Sequence, residues 1–256
     1  MKKLLKILLL LPTLCLFVIP AYFAGISYSR PCKGIEINIV DSLDYNFVTP
    51  GEILSLINSG RILGKPVRDI SKSEIEDKIS GLKELRVAEV YMAIDGTLHV
   101  YADQRNPIMR VMALNGSDYY IDDEGFVVRR RTLYTPRLHI VGGNINVTSA
   151  MLNGVTILDT SISKTILRDI YHMVNHIRKD DFWSAQIDQI YVDGNNEIDL
   201  IPRVGNHIIK IGTPEDFTEK LTNLQTFYRK VMPEVGWDRY SVINLKYKGQ
   251  IVCKKR

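Results

Sequence analysis

The sequence predicts an α+β protein: an N-terminal transmembrane helix, a β-α-α-β-β domain, and then a mainly antiparallel β domain with supporting helices. Three observations support this reading. A long uncharged run stands near the N-terminus, two helix-start motifs follow it, and the remainder alternates short apolar strands with turn dipeptides. The predicted boundaries are a cytoplasmic tail at 1–6, the membrane helix at 7–29, the first domain at 33–104 and the β domain at 105–256.

The membrane helix is predicted from the segment ILLLLPTLCLFVIPAYFAGISYS, which contains 23 residues and no charge. As a helix it would be about 34 Å long, enough to cross a hydrocarbon layer of about 30 Å. Lys2, Lys3 and Lys6 precede it, which predicts a cytoplasmic N-terminus and an exported remainder. The alternative is a cleaved signal peptide, but the apolar run is longer than usual and residues 21–24 fit a cleavage site poorly.

Charge and cysteine content argue against a nucleic-acid-binding protein and against a disulfide-stabilised one. Without those three lysines the 33 basic residues fall to 30, against 29 acidic ones, so the exported part is nearly neutral and lacks the positive charge that nucleic-acid binding needs. The three cysteines, Cys15, Cys32 and Cys253, are too few for a disulfide framework. Free thiols are predicted, with a bridge between Cys32 and Cys253 as the alternative.

The first exported block has the pattern of a small domain of two helices on a three-stranded sheet. An alternating strand at residues 35–39 comes first. Capping boxes at Thr49 to Glu52 and at Ser71 to Glu74 predict two helices. Two further strands flank Asp95-Gly96, a two-residue hairpin signal.

Several stretches resemble the FtsQ/DivIB family of bacterial division proteins, whose first exported domain is a POTRA domain. The segment GLKELRVAEVYMAIDGTLHVYADQRNPIMRV is similar to the family's helix-to-strand join and its Glu-Arg-x-Pro junction, with Gln104 in place of the acid. DYYIDDEGFVV and LHIVGG match two later family stretches. The resemblance covers nearly the whole chain in order. It implies a single-pass protein of the inner membrane, periplasmic for most of its length, that acts as a non-enzymatic scaffold of the septal division complex.

The remainder reads mostly as strands. IMRVMAL, DYYID and FVVRR are separated by turns; IDQIYV and EIDLIPR flank DGNN, and HIIKI follows. Gly142-Gly143 is interpreted as a turn. One helix is predicted over residues 162–177, and Thr213-Pro214-Glu215-Asp216 predicts the start of another.

Candidate catalytic and metal-binding residues are few. His172 and His176 stand four apart on a predicted helix, a spacing that can hold zinc, but the glutamate of a metallohydrolase motif is absent between them. The loop from Asp193 to Glu197 begins like a calcium loop and is better explained as a hairpin turn. No cofactor is therefore predicted, and a membrane-tethered periplasmic metallohydrolase remains an alternative function.

The C-terminal segment VINLKYKGQIVCKKR alternates between two faces from Val242 onward, as a half-buried strand does. A strand at the end of the chain predicts an open sheet edge, and an extended partner segment can pair with such an edge. Lys248-Gly249 leaves two possibilities: a hairpin turn before a separate short strand, or one strand running straight through.

The family resemblance implies that this segment binds an FtsB/FtsL-type coiled-coil partner, and that other division proteins contact the POTRA-like domain. The residues carried over by position are Lys246, Tyr247, Gly249, Gln250, Ile251 and Val252. Asn244 stands where the family often has aspartate. A POTRA-bearing translocation component is a further alternative, but no series of lipid-facing strands of about 10 residues is present to build a membrane barrel.

Overall fold

The computed structural model describes residues 16, 18–19, 29–40, 47–129, 136–162 and 165–256. The chain divides into two compact units, Met1–Gln104 and Arg105–Arg256. In the described part no helix is long and apolar enough to cross a membrane. The predicted tail at 1–6 lies outside the described residues, and so does the predicted span at 7–29 apart from residues 16, 18, 19 and 29.

The first unit is a β-α-α-β-β domain, as the sequence predicts. Its elements are β1 (Gly34–Val40), α1 (Pro50–Leu56), α2 (Lys72–Ser80), β2 (Leu85–Met92) and β3 (Thr97–Gln104). The strand order is β1-β3-β2, with β3 parallel to β1 and antiparallel to β2.

Both predicted helix starts of the first unit are present. The Thr49 hydroxyl accepts a hydrogen bond from the Glu52 amide, and the Glu52 carboxylate accepts one from the Thr49 amide, which completes a capping box. The Ser71 hydroxyl accepts from the Glu74 amide. Each helix then turns buried isoleucines inward, among them Ile53 and Ile79.

Gln104, at the position where the resembled family has an acid, is buried and supports the chain before α1. Its Oε1 accepts hydrogen bonds from the Phe47 and Val48 amides at 2.9 and 3.0 Å. A glutamine can meet two amide donors without bringing a charge into the interior. The substitution therefore keeps the acceptor and removes the desolvation cost of a carboxylate.

The second unit is built on a nine-stranded sheet. Its elements are, in chain order, β4 (Pro107–Ala113), β5 (Asp118–Asp122), β6 (Val127–Arg129), β7 (His139–Gly143), α3 (Ser149–Leu152), α4 (Ile166–Arg178), α5 (Asp181–Gln186), β8 (Ile187–Val192), β9 (Ile198–Pro202), β10 (Ile208–Gly212), α6 (Phe217–Lys230), α7 (Met232–Val235), β11 (Tyr240–Asn244) and β12 (Val252–Lys255). The strand order is β12-β11-β10-β9-β8-β7-β4-β5-β6.

Most neighbours in this sheet are antiparallel, and three pairs are parallel: β4 with β7, β7 with β8, and β10 with β11. The long helices α4 and α6 share one core with the strands. Their inward residues include Ile170, Val174, Leu221 and Leu224, and each of these is at most 1% exposed. The α+β class with a mainly antiparallel sheet is confirmed.

The predicted starts of two helices are corrected. The helix predicted over 162–177 begins at Ile166, because the Thr165 hydroxyl caps it by accepting from the Leu167 amide. The helix predicted from Thr213 begins only at Phe217. There the Lys220 ammonium donates to the carbonyls of Ile211 and Thr213, which holds the preceding residues outside the helix.

The predicted turn at Gly142-Gly143 is wrong, since both glycines are the last residues of β7. The backbone of Gly143 has φ +102° and lies so close to β8 that an added Cβ would be 2.0 Å from the Val192 carbonyl oxygen. Glycine is required here by close approach of two strands and not by chain reversal. Cys32 is buried, Cys253 is half-buried, and both are free thiols.

Candidate partner-binding edge

The last strand of the chain forms one edge of the nine-stranded sheet. β12 pairs with β11 in antiparallel register, Ile243 opposite Cys253 and Asn244 opposite Val252. Within the described residues no other strand pairs with β12. Because the hydrogen bonds of an antiparallel pair alternate in direction, about half of the backbone groups of β12 face away from β11.

The terminal segment is a hairpin and not one continuous strand. β11 ends at Asn244, and a terminal loop at residues 245–251 leads into β12. The Asn244 Oδ1 accepts from the Lys246 amide at 2.9 Å, which turns the chain, and Gly249 has φ +69°. Of the two possibilities left open by Lys248-Gly249, the hairpin is therefore correct. The single alternating face predicted from Val242 onward is wrong beyond Leu245.

The predicted partner-binding residues lie close together in the chain, but they belong to two different elements, the terminal loop and β12. Tyr247 is 57% exposed at the start of the terminal loop, and Val252 is 47% exposed at the start of β12. Gln250 donates its amide to the Tyr247 carbonyl, which closes the turn around Gly249. Ile251 is half-buried against the core. Only Val252 belongs to the edge strand, and the other residues form the loop beside it.

The terminal loop is one wall of a cavity of about 150 Å³. The opposite wall is the start of α6 and the residues before it. It is formed by Thr213, Glu215, Asp216, Glu219, Lys220 and Asn223. The sequence pattern did not indicate that α6 approaches this loop, because the two segments are far apart in the chain and only the folded sheet brings them together.

Lys246 is anchored within the unit. Its Nζ lies 2.6 and 2.7 Å from the two carboxylate oxygens of Glu197, at the start of the β9 side of the β8–β9 hairpin. Hydrogen bonding to Glu197 raises the pKa of the Lys246 ammonium. Glu197 was missed as a site residue from the sequence, where only its part in a hairpin turn is visible.

The edge strand is basic. Lys254, Lys255 and Arg256 are exposed, and the Arg256 guanidinium donates to the Asn206 carbonyl at 2.5 Å. Charged side chains on an edge oppose indiscriminate pairing with other strands. The exposed side chains at the end of the edge strand therefore carry positive charge.

The histidine pair predicted as a possible metal site lies elsewhere in the unit. His172 and His176 line a surface depression between α4 and the start of α6, and the His176 ring packs edge-on against Phe217 at 5.9 Å. In the described ranges no three His, Cys, Asp or Glu side chains are placed to hold a metal ion. The Asp193 carboxylate accepts from the amides of Asn195 and Glu197, so the candidate calcium loop is the β8–β9 turn.

Comparison with protein families finds one matching domain model for each of the two units. A family model described as FtsQ/DivIB, C-terminal related, matches residues 106–254, which is more than half of the chain. The chain belongs to the FtsQ/DivIB family. A POTRA-like domain model matches residues 30–102, the β-α-α-β-β unit. A search of curated proteins found no match.

Two stretches that resemble the FtsQ/DivIB pattern are bonded to each other. Arg105, from the junction, donates to the Asp122 carboxylate at 2.6 Å and to Glu124 at 3.2 Å, and its guanidinium lies 4.1 Å from the centre of the Phe126 ring. Asp122 also accepts from the amides of Glu124 and Phe126. The FtsQ/DivIB junction therefore fixes the β5–β6 turn. Members of this family are non-enzymatic cell division proteins.

Proposed function

We propose that this protein is a single-pass inner-membrane scaffold of the bacterial septal division complex, with residues 1–6 cytoplasmic, the span at 7–29 and the remainder periplasmic. It recruits a membrane-anchored FtsB/FtsL-type coiled-coil partner. An extended segment of that partner adds as a further strand along the outer side of β12, while the POTRA-like domain contacts other division proteins. The family membership supports the scaffold role, and the uncharged run behind three lysines supports the topology.

The observation that carries the proposed binding mode is the open edge itself. β12 has backbone donors and acceptors on its outer side, and no strand among the described residues takes them up. A partner strand would form hydrogen bonds with these groups and gain affinity from them, while its alternate side chains would contact the neighbouring surface and give specificity.

The terminal loop supplies that neighbouring surface. Tyr247 is an exposed aromatic side chain of the terminal loop, and the half-buried Ile251 leads directly into β12. Tyrosines that become buried in an interface commonly contribute a large share of the binding free energy. We infer that Tyr247 packs on the partner segment where it leaves the edge.

The test measures the affinity of a labelled peptide covering the C-terminal segment of the FtsB-type protein from the same organism. We expect Tyr247→Glu to weaken binding by at least about ten-fold, because the charge has to be desolvated at the interface. Tyr191→Glu is the matched control, since Tyr191 is 45% exposed on β8, away from the edge. Equal affinities for the Tyr247 variant and the wild type, both folded by circular dichroism, would contradict the proposal.

Hydrogen exchange separates strand addition from other binding modes. Peptide binding should slow amide exchange in β12, and exchange in β6, the opposite edge of the same sheet, should stay unchanged. Binding without protection of β12 would mean that the peptide docks by its side chains alone.

A further inference from the structure

Lys246 connects the terminal loop to two other parts of the sheet. Its ammonium forms a bidentate ion pair with Glu197, which is 49 residues earlier in the chain. Its aliphatic stem lies over Gly212, the last residue of β10. A Cβ added at Gly212 would be 2.8 Å from Lys246 Cγ and 3.3 Å from Cδ.

The backbone on either side of Lys246 is held as well. The Leu245 amide donates to the Lys210 carbonyl at 2.9 Å, and the Leu245 side chain is buried. The Lys246 amide donates to Asn244 Oδ1. The first two residues of the terminal loop are thus fixed by the sheet, whereas Tyr247 and the next three residues are exposed.

The ammonium of Lys246 is therefore already paired with Glu197, at the surface of the unit. The side chains of Lys246 and Glu197 are 35% and 28% exposed. A partner carboxylate that approached this lysine would compete with both oxygens of Glu197, at 2.6 and 2.7 Å, and would be repelled by that carboxylate.

We propose that Glu197 and Gly212 act as positioning residues of the partner-binding site. Gly212 leaves room for the stem of Lys246, Glu197 fixes its ammonium, and the lysine then sets the direction in which the following Tyr247 leaves the sheet. Lys246 makes no ion pair with the partner. This inference rests on the proposed function, because it specifies how that same site is preorganised.

The experiment compares Glu197→Gln with Lys246→Met, using the same labelled FtsB-type peptide. If Lys246 positions the loop, each variant should weaken binding by about five-fold, and the double variant should weaken it little further, since both remove one interaction. If Lys246 instead contacts the partner, Glu197→Gln frees the lysine and leaves affinity unchanged or raised. That second result would overturn the inference.

A charge swap gives a further discrimination. Glu197→Lys combined with Lys246→Glu restores the internal pair in reverse and should recover binding that each single reversal loses. Asp199→Asn is the matched control: Asp199 pairs with Lys210 at 3.1 Å on the same sheet, so its partner is a strand residue and not a residue of the terminal loop. Failure of the swap to recover any affinity would contradict the positioning role.

The amide exchange rates of residues 246–251, measured without peptide, test the inference independently of binding. Glu197→Gln should speed exchange in the terminal loop by several-fold while global unfolding by denaturant is unchanged. If the wild type binds no peptide but this effect is present, the proposed function fails and the loop-positioning role stands. If the wild type binds and exchange in the loop is unaltered, the positioning role fails and the proposed function stands.

Discussion

At the scale of single residues, the second unit contains a buried ion pair between Arg105 and Asp122. The Asp122 side chain is 1% exposed and the Arg105 side chain 14%. Burial raises the pKa of Asp122, and the Arg105 guanidinium together with the Phe126 and Glu124 amides acts in the opposite direction. A carboxylate in this position is tolerated because its charge is met from several sides.

Removing the cation should therefore be costly. We expect Arg105→Met to lower the free energy of unfolding by about 3–5 kcal/mol at neutral pH, since Asp122 is left buried without its partner. The loss should shrink as the pH is lowered, because burial raises the pKa of the orphaned carboxyl, which then becomes protonated and neutral. Urea denaturation at several pH values measures both effects.

Arg203→Met is the matched control for that prediction. Arg203 pairs with Asp188 at 3.1 Å, but both side chains are more than 40% exposed, so its loss should cost no more than about 1 kcal/mol. Similar losses for the two arginine variants would show that burial of Asp122 is not what makes its ion pair important.

Sequence and structure agree unevenly at this scale. Thr49, Ser71 and the Asp193 turn could be predicted, because their hydrogen bonds reach at most four residues along the chain. Tyr247 could be chosen from the family resemblance. Glu197 could not, because only the folded sheet brings it to Lys246.

At the scale of elements, the terminal hairpin divides between two strands what the alternating pattern suggested for one: β11 contributes to the core, and β12 forms the edge of the sheet. β11 is interior, paired on both sides by β10 and β12, and it contributes Ile243, which is fully buried, to the core. β12 is outside and carries mostly exposed side chains. An alternating pattern is common to both strands, so the pattern alone did not show where one ended.

This division predicts different results for two truncations. Deleting residues 252–256 should leave a folded unit and reduce FtsB-type peptide binding by more than about ten-fold, because the edge is lost while the core is kept. Deleting residues 243–256 should abolish cooperative unfolding. It removes Ile243 and Leu245, each worth about 1.5–3 kcal/mol of burial, from a total stability of about 5–15 kcal/mol.

The measurements are peptide affinity and thermal unfolding of both truncated proteins beside the full-length chain. Wild-type affinity in the five-residue truncation would place the binding site away from β12. A stable fold in the longer truncation would show that β11 is dispensable for the core.

At the scale of the whole molecule, each unit has its own sheet and its own buried core, and the chain passes from one to the other at Gln104 and Arg105. The second unit, as a whole, buries two histidines, His139 and His207. Burial lowers the pKa of each, and the positive charges of nearby arginines, including Arg203 and Arg256, lower these pKa values further. His207 shares a 2.6 Å hydrogen bond with Tyr228.

These histidines predict that the fold is weakened by acid. Because their pKa values are lowered in the folded state, the unfolded chain binds more protons once the pH falls below about 6.5. The two histidines should therefore add no pH dependence to the free energy of unfolding well above that pH and should lower it below, by at most about 1.4 kcal/mol per pH unit for each histidine. Denaturation at pH 7.5 and 5.5 tests this.

The double variant His139→Gln with His207→Gln is the control, and its stability should depend less on pH over the same interval. A wild-type stability that stays level or rises between pH 7.5 and 5.5 would refute the assignment of neutral histidines in the folded state.

The sequence alone determined the α+β class, the two capping boxes, the β-α-α-β-β order and the family resemblance, because hydrophobic period, capping and turn chemistry act over a few neighbouring residues. Tertiary structure alone decided that the edge is a separate strand, β12, that α6 faces the terminal loop and that Glu197 holds Lys246. Those features depend on strand order and on contacts between segments far apart in the chain, and no local pattern encodes which distant segment a strand or a charge will meet.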